Sequence, residues 1–311
     1  VCIGNLTTGG TGKTPAVLLA AHTLRQRGHA VAVLSRGYGR SGAGKDVTVL
    51  LDGRQADWRA CGDEPWMIHQ SLVGQGVPVL VCPDRAKSGE IAVEMYDSRV
   101  IILDDGFQHL RLHRDLDVVL INARNPFGGG RLLPLGDLRE PVSALRRAHM
   151  VVITHADRVT APELAALREE IERVHPGVSV LESAHKADHL LDVRTEKKLP
   201  LTHLKGAAVT ALSGLGDPLS FETSLEDLGA RLAQKWRYPD HHAYTARDLD
   251  SLQKLRGDLP LVTTLKDFTR LPDDWRERLT GEVWVLGIKL DILKGKNAWI
   301  DTLDGLAKGK K

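Results

Sequence analysis

Cysteine is scarce in this chain. Its three cysteines, Cys2, Cys61 and Cys82, lie far apart and are odd in number, which argues against a disulfide framework or a zinc-ligand spacing and fits reduced thiols in a cytoplasmic setting. Aromatic residues make up only 5% and are scattered rather than interleaved with basic ones, and the net charge is just +2, so nucleic acid is not an expected partner. No apolar run approaches the roughly 18 residues of a membrane-spanning helix, and neither a signal-peptide pattern nor an internal repeat is apparent. The chain opens on Val1 rather than Met, three residues before a glycine-rich segment, so further natural sequence upstream is expected. What is present, 42% hydrophobic and 26% charged residues over 311 positions, describes a globular protein large enough for two domains.

The glycine-rich segment runs Gly4-Asn5-Leu6-Thr7-Thr8-Gly9-Gly10-Thr11-Gly12-Lys13-Thr14, directly behind the apolar start Val1-Cys2-Ile3. Glycines let backbone N–H groups converge on anionic oxygens, a lysine at position 13 can reach the terminal phosphates, and the Thr14 hydroxyl is placed for Mg²⁺ at a helix start. Residues 8–14 are therefore the expected nucleotide-binding loop. Position 7 is Thr where the standard spacing has Gly, so this is a Gly-Gly-x-Gly-Lys-Thr variant. A helix is expected over 16–24, with Pro15 in its first turn and Gly28 as its stop, followed by an apolar strand over 30–34.

Further buried-strand runs at 77–81, 100–103, 118–121 and 151–153 alternate with helical segments at 64–72 and 86–95, and Thr160 with Glu163 forms a capping box for a helix to about 174. This pattern predicts an α/β fold: a P-loop NTPase-like, mostly parallel sheet with helices on both faces. Polar, proline-bearing sequence over 190–204 sets the expected boundary between a core domain, 1–203, and a smaller C-terminal α/β lobe, 204–311. Within that lobe the pattern predicts a strand at 207–212, a helix near 219–235, a loop at 238–242, a helix at 246–255, strands at 261–264 and 283–288, and a solvated tail at 308–311.

Ile101-Ile102-Leu103-Asp104-Asp105 has the form of a strand ending in metal-binding carboxylates opposite a phosphate loop. In Gly62-Asp63-Glu64-Pro65, Asp63 reads either as a helix cap or as the carboxylate that accepts a hydroxyl proton. In Asp240-His241-His242 the adjacent histidines point apart and make poor joint ligands, so one that orients a catalytic carboxylate is the more useful reading. Arg36, Arg85 and Arg139 all follow strands or glycine-rich turns, which suggests an anionic substrate beyond the nucleotide.

Taken in order, Gly-Asn-Leu-Thr-Thr-Gly-Gly-Thr-Gly-Lys-Thr-Pro, Ser-Arg-Gly-Tyr-Gly, Gly-Asp-Glu-Pro, Asp-Asp-Gly-Phe-Gln-His, Gly-Arg-Leu-Leu-Pro-Leu-Gly-Asp-Leu-Arg-Glu-Pro and Asp-His-His-Ala-Tyr resemble the tetraacyldisaccharide 4′-kinases of lipid A biosynthesis over nearly the whole chain. The resemblance implies ATP- and Mg²⁺-dependent phosphorylation of the 4′-hydroxyl of a tetraacylated disaccharide 1-phosphate, by a monomer in peripheral contact with the cytoplasmic face of the inner membrane. It implies Asp63 as general base paired with His241, Lys13 and Thr14 on the nucleotide and metal, Asp104 and Asp105 as metal acids, and Arg85, Gln108, His109, Arg139 and Glu140 lining the site. The family's usual N-terminal hydrophobic anchor does not appear in these residues. The runner-up is a nucleotide-dependent switch or assembly ATPase with the same loop; those commonly carry a lysine immediately before the double glycine, where this chain has Thr8.

Overall fold

The structure, a computed structural model, describes residues 1–38, 40, 46–52, 58–240 and 242–309. They form two compact units, residues 1–185 with 290–311 and residues 186–289.

The first unit begins with β1 (Cys2–Asn5), α1 (Lys13–Gln26), β2 (Val31–Ser35), β3 (Thr48–Leu50), α2 (Trp58–Cys61), α3 (Asp63–Leu72), β4 (Val79–Val81) and α4 (Arg85–Tyr96). It continues through β5 (Val100–Asp104), β6 (Asp117–Asn122), β7 (Met150–Thr154), α5 (Ala161–Val174) and the first half of β8 (Ser179–Asp192). The sheet order is β8-β7-β6-β1-β5-β2-β4-β3, parallel throughout except for the edge strand β3, which runs antiparallel to β4. β1, β2 and β7 are buried along their whole length because helices cover both faces, which is why their sequences read as continuous apolar runs. One face packs Ala16, Val17, Ala20 and Leu24 of α1 with Ile68 and Leu72 of α3; the other packs Ala92 of α4 with Leu167 and Ile171 of α5.

The second unit contains the rest of β8, β9 (Lys197–Leu199), β10 (Ala208–Ser213), α6 (Pro218–Asp227), β11 (Arg231–Arg237), α7 (Ala246–Arg256), β12 (Leu261–Thr264), α8 (Leu265–Thr269), α9 (Trp275–Arg278) and most of β13 (Val283–Lys294). Its order is β11-β10-β12-β13-β8, with β11, β10, β12 and β13 parallel and β9 antiparallel to β8.

The units divide the chain differently from the boundary expected at 203/204. Within residues 190–204, 190–192 continue β8 and 197–199 turn back as β9. The chain also returns: α10 (Lys296–Ala307) packs Trp299 and Leu303 into the first unit's core, with Trp299 Nε1 donating to Thr23 Oγ1 of α1 at 3.2 Å and Asp304 bound to Arg27 and His29. The helix expected over 219–235 stops at Asp227. Gly229 takes φ +88°, and the alternation of residues 231–237 then builds β11. Lys308 of the expected tail pairs with Asp304 at 2.7 Å, and residues 310 and 311 lie outside the described residues. No helix among the described residues is long and apolar enough to cross a membrane.

Candidate active site

The glycine-rich loop joins β1 to α1 at the carboxyl edge of the parallel sheet, where α/β folds gather ligands. Gly12 caps α1 in the left-handed region, φ +86°, and no L side chain fits there: a Cβ would stand 2.5 Å from His185 Nε2. The loop is held from several sides. Thr154 Oγ1, at the end of β7, donates to Thr11 O at 3.1 Å, and Asn5 Nδ2 donates to Thr7 O at 2.7 Å. On the other flank Thr8 N donates to Asp137 O at 2.8 Å and Arg139 N to Leu6 O at 2.7 Å. A cavity of about 240 Å³ opens against the loop, lined by Thr7–Thr11, Asn122, Asn125 and Asp137.

β5 delivers Asp104 and Asp105 to the same edge. Arg139 NH1 donates to both oxygens of Asp105, at 2.9 and 2.8 Å, and Lys13 Nζ lies 3.9 Å from the same carboxylate. Lys13, Asp105 and Arg139, expected from three separate motifs, thus meet at one point. Asp104 is buried and accepts from Ser35 Oγ at 3.0 Å. Burial foremost, then the charges of Glu64 and Asp105, push its carboxyl up to about 7 against the opposing pull of Ser35 and Lys13. Glu64, at the start of α3, is thus near enough to act on the carboxyl that ends β5. Asp63 is not the helix cap: Gly62 holds that position, and the half-buried Asp63 accepts from Glu64 N at 2.9 Å as the first helical residue.

Arg85 is buried at the start of α4, with NH1 donating to Pro83 O at 3.0 Å and Nε unpartnered. Burial and then the neighbouring Arg36 hold its guanidinium below its ordinary range, and burial followed by Arg85 lowers His109. Positive charges that disfavour one another in this way favour an anion nearby. Gln108 Nε2 bridges Asn5 O at 3.0 Å and Glu140 Oε1 at 2.9 Å, and Glu140 is clamped by Arg147 NH2 at 3.0 and 2.8 Å.

His241 lies outside the described residues. Its neighbours belong to the second unit, where Asp240 pairs with Lys266 Nζ at 2.7 Å. His242 stacks on Tyr238 at 4.4 Å and pairs with Asp248 Oδ2 at 3.2 Å, a packing role. Ser35 and Glu64 stand inside the Ser-Arg-Gly-Tyr-Gly and Gly-Asp-Glu-Pro segments, which do not disclose their hold on Asp104, and sequence reasoning missed the pair His155–His185, whose rings stand 4.3 Å apart with His185 against Gly12. Lone histidines carry no local motif.

Among the described residues no group of three or more His, Cys, Asp or Glu side chains forms a metal cage. Mg²⁺ does not need one, since it binds through one or two carboxylates together with substrate phosphates. Asp104, a desolvated carboxyl whose charge a cation would stabilise, and the hydroxyl of Thr14 at the start of α1 suit that donor set.

A family model described as tetraacyldisaccharide-1-P 4′-kinase (LpxK) matches residues 1–307. A tetraacyldisaccharide 4′-kinase of Elusimicrobium minutum is 46% identical over 95% of this chain and 79% of its own length. Another, of Anaeromyxobacter dehalogenans, is 44% identical over 98% of this chain and 80% of its own. Among solved structures, LpxK from Aquifex aeolicus, determined in complex with ATP, superposes with a TM-score of 0.75 at 29% identity, covering 98% of this chain and 87% of that one.

Proposed function

The chain belongs to the tetraacyldisaccharide-1-P 4′-kinase family, and from that premise we propose that it transfers the γ-phosphoryl group of ATP to the 4′-hydroxyl of a tetraacyldisaccharide 1-phosphate. The observation that carries the reading is the convergence of Lys13, Asp105 and Arg139 beside the desolvated Asp104 at the mouth of the glycine-rich loop. Phosphoryl transfer asks little covalent chemistry of a protein and much positioning and charge. Backbone N–H groups of residues 8–14 cradle the nucleotide phosphates, and Lys13 stabilises the charge that develops on the migrating group. Asp104 and Thr14 would hold Mg²⁺, which would supply charge neutralisation at the phosphate oxygens. Arg139 holds Asp105 in place beside Lys13.

Asp63, half-buried in the first turn of α3, is the general base that accepts the hydroxyl proton. The paired cations Arg85 and Arg36 receive an anionic part of the acceptor, with His109 alongside, and the Gln108–Glu140–Arg147 chain braces that wall. We place the protein at the cytoplasmic face of the inner membrane, where such a lipid resides. The test is incubation with ATP, Mg²⁺ and tetraacyldisaccharide 1-phosphate in detergent micelles, read by mass spectrometry. A product heavier by one phosphoryl group supports the reading. Lys13→Ala should lower turnover by at least about a hundredfold without unfolding the protein, and a wild-type rate in that variant would remove the loop from the mechanism.

A further inference from the structure

We propose that residues 129–135 form a membrane-docking loop that seats the first unit on an anionic lipid bilayer with the glycine-rich loop facing the lipid surface. The inference rests on the lipid-kinase reading for the purpose of such a seat, but its observations are independent. Three successive glycines, Gly128, Gly129 and Gly130, take φ of 55°, 76° and 74° and turn the chain out of the core. The next five residues, Arg131-Leu132-Leu133-Pro134-Leu135, are all exposed. Leu132, Leu133 and Leu135 show 47%, 51% and 80% of their surface to solvent, an apolar cluster that a soluble surface ordinarily avoids.

The loop is not loose chain. Leu133 N donates to Leu138 O at 2.9 Å, Leu135 N to Leu132 O at 2.9 Å and Gly136 N to Leu132 O at 3.1 Å, so these tip amides are satisfied within the turn. Satisfied backbone can enter the headgroup region without an unpaired N–H, and leucine side chains gain by burial there. The charge pattern selects the occupant. The exposed Arg131 stands at the loop's shoulder where it can meet lipid phosphates while the leucines insert, and the nearest carboxylate, the exposed Asp137, lies at the loop's base, where Thr8 Oγ1 donates to it at 3.3 Å. A protein partner would need a shaped apolar recess for these leucines, whereas a bilayer needs only the apolar tip and the basic shoulder.

The loop's base is tied to the glycine-rich loop. Leu138 is buried and bridges both Leu132 and Thr7, and the next amide, Arg139 N, donates to Leu6 O at 2.7 Å. Docking the tip therefore fixes the height of the phosphate-binding backbone above the lipid surface, where the sugar of a membrane-held acceptor would lie.

The test is sedimentation of the full chain with sucrose-loaded vesicles of phosphatidylcholine alone or with roughly 30% phosphatidylglycerol. Neither ATP nor acylated disaccharide is present, so the result stands apart from the micelle assay of kinase activity. Wild type should partition onto the anionic vesicles, and Leu132→Ser/Leu133→Ser/Leu135→Ser should bind about tenfold or more weakly. Arg131→Glu should weaken binding only where the anionic lipid is present. A second measurement needs no loss of function: Cys2, Cys61 and Cys82 are buried, so Leu135→Cys can be labelled selectively with an environment-sensitive fluorophore, whose emission should shift to the blue on anionic vesicles. Failure of wild type to partition, unchanged partition of the triple serine variant, or an unshifted emission would overturn the proposal. So would a wild-type dimer that the serine variant abolishes, which would assign the leucines to self-association.

Discussion

Replacing Asp104 with asparagine should stabilise the metal-free protein at neutral and alkaline pH while removing its Mg²⁺-dependent turnover. In the native state burial, Glu64 and Asp105 raise this carboxyl from 3.8 to about 7. At about 1.36 kcal/mol per pH unit, that shift corresponds to a penalty of about 4 kcal/mol for holding the charge in the fold. The sign follows from proton binding. Between about pH 4 and 7 the native state keeps a proton that the unfolded chain has released, so wild type loses stability as pH rises through that window and then levels off. Asparagine has nearly the same shape and no charge, and it can still accept from Ser35, but its amide needs a partner, which offsets about 1–2 kcal/mol. The net gain should be about 2 kcal/mol near pH 8, or a rise in Tm of about 4–8 °C for a unit of roughly 200 residues, shrinking to nothing or reversing near pH 4. Thermal unfolding in a metal chelator across that pH range measures it. Mg²⁺ with nucleotide should then raise the wild-type Tm more than that of Asp104→Asn. A Tm difference independent of pH, or a variant less stable than wild type at pH 8, would refute the desolvated-carboxyl account.

Three further outcomes are expected. Asp63→Ala should lower kcat by roughly two to four orders of magnitude while leaving ATP affinity nearly unchanged; steady-state kinetics beside calorimetric ATP titration separates proton acceptance from nucleotide binding. His185, lowered to about 3 by burial first and His155 second, stays neutral in the fold while the unfolded chain takes up a proton below about pH 6.5, so wild-type stability should fall toward acid by up to about 1.36 kcal/mol per pH unit. In His185→Gln that component should vanish, and parallel urea-unfolding profiles for the two proteins between pH 7 and 4 would defeat the assignment. Gly12→Ala would place a Cβ 2.5 Å from the His185 ring at φ +86°, so ATP affinity measured by titration should drop by about tenfold or more.

What the sequence displays is chemistry that local order encodes. The run from β1 through the glycine-rich loop into α1, and the acids closing β5, are contiguous in the chain, so their residue types and spacing suffice to read them. The strands of the first unit are legible for a related reason: burial on both faces leaves β1, β2 and β7 without polar alternation. Illegibility begins where position in space, rather than in sequence, decides. α10 was silent because its apolar residues have meaning only once Trp299 reaches Thr23 and Leu303 the first unit's core, nearly the whole chain away. β11 carries a helical signal in sequence because Leu232, Ala233 and Trp236 suit helical spacing equally well, and pairing with β10 overrides that local preference. At the site the same distinction separates Asp104 from what governs it. Its identity is visible in a motif, but its proton affinity is set first by burial in the fold, then by Glu64 from α3, against the hydrogen bond from Ser35 of the neighbouring β2. Sequence thus names the reacting groups, whereas their energetics belong to the fold that buries them and sets their neighbours around them.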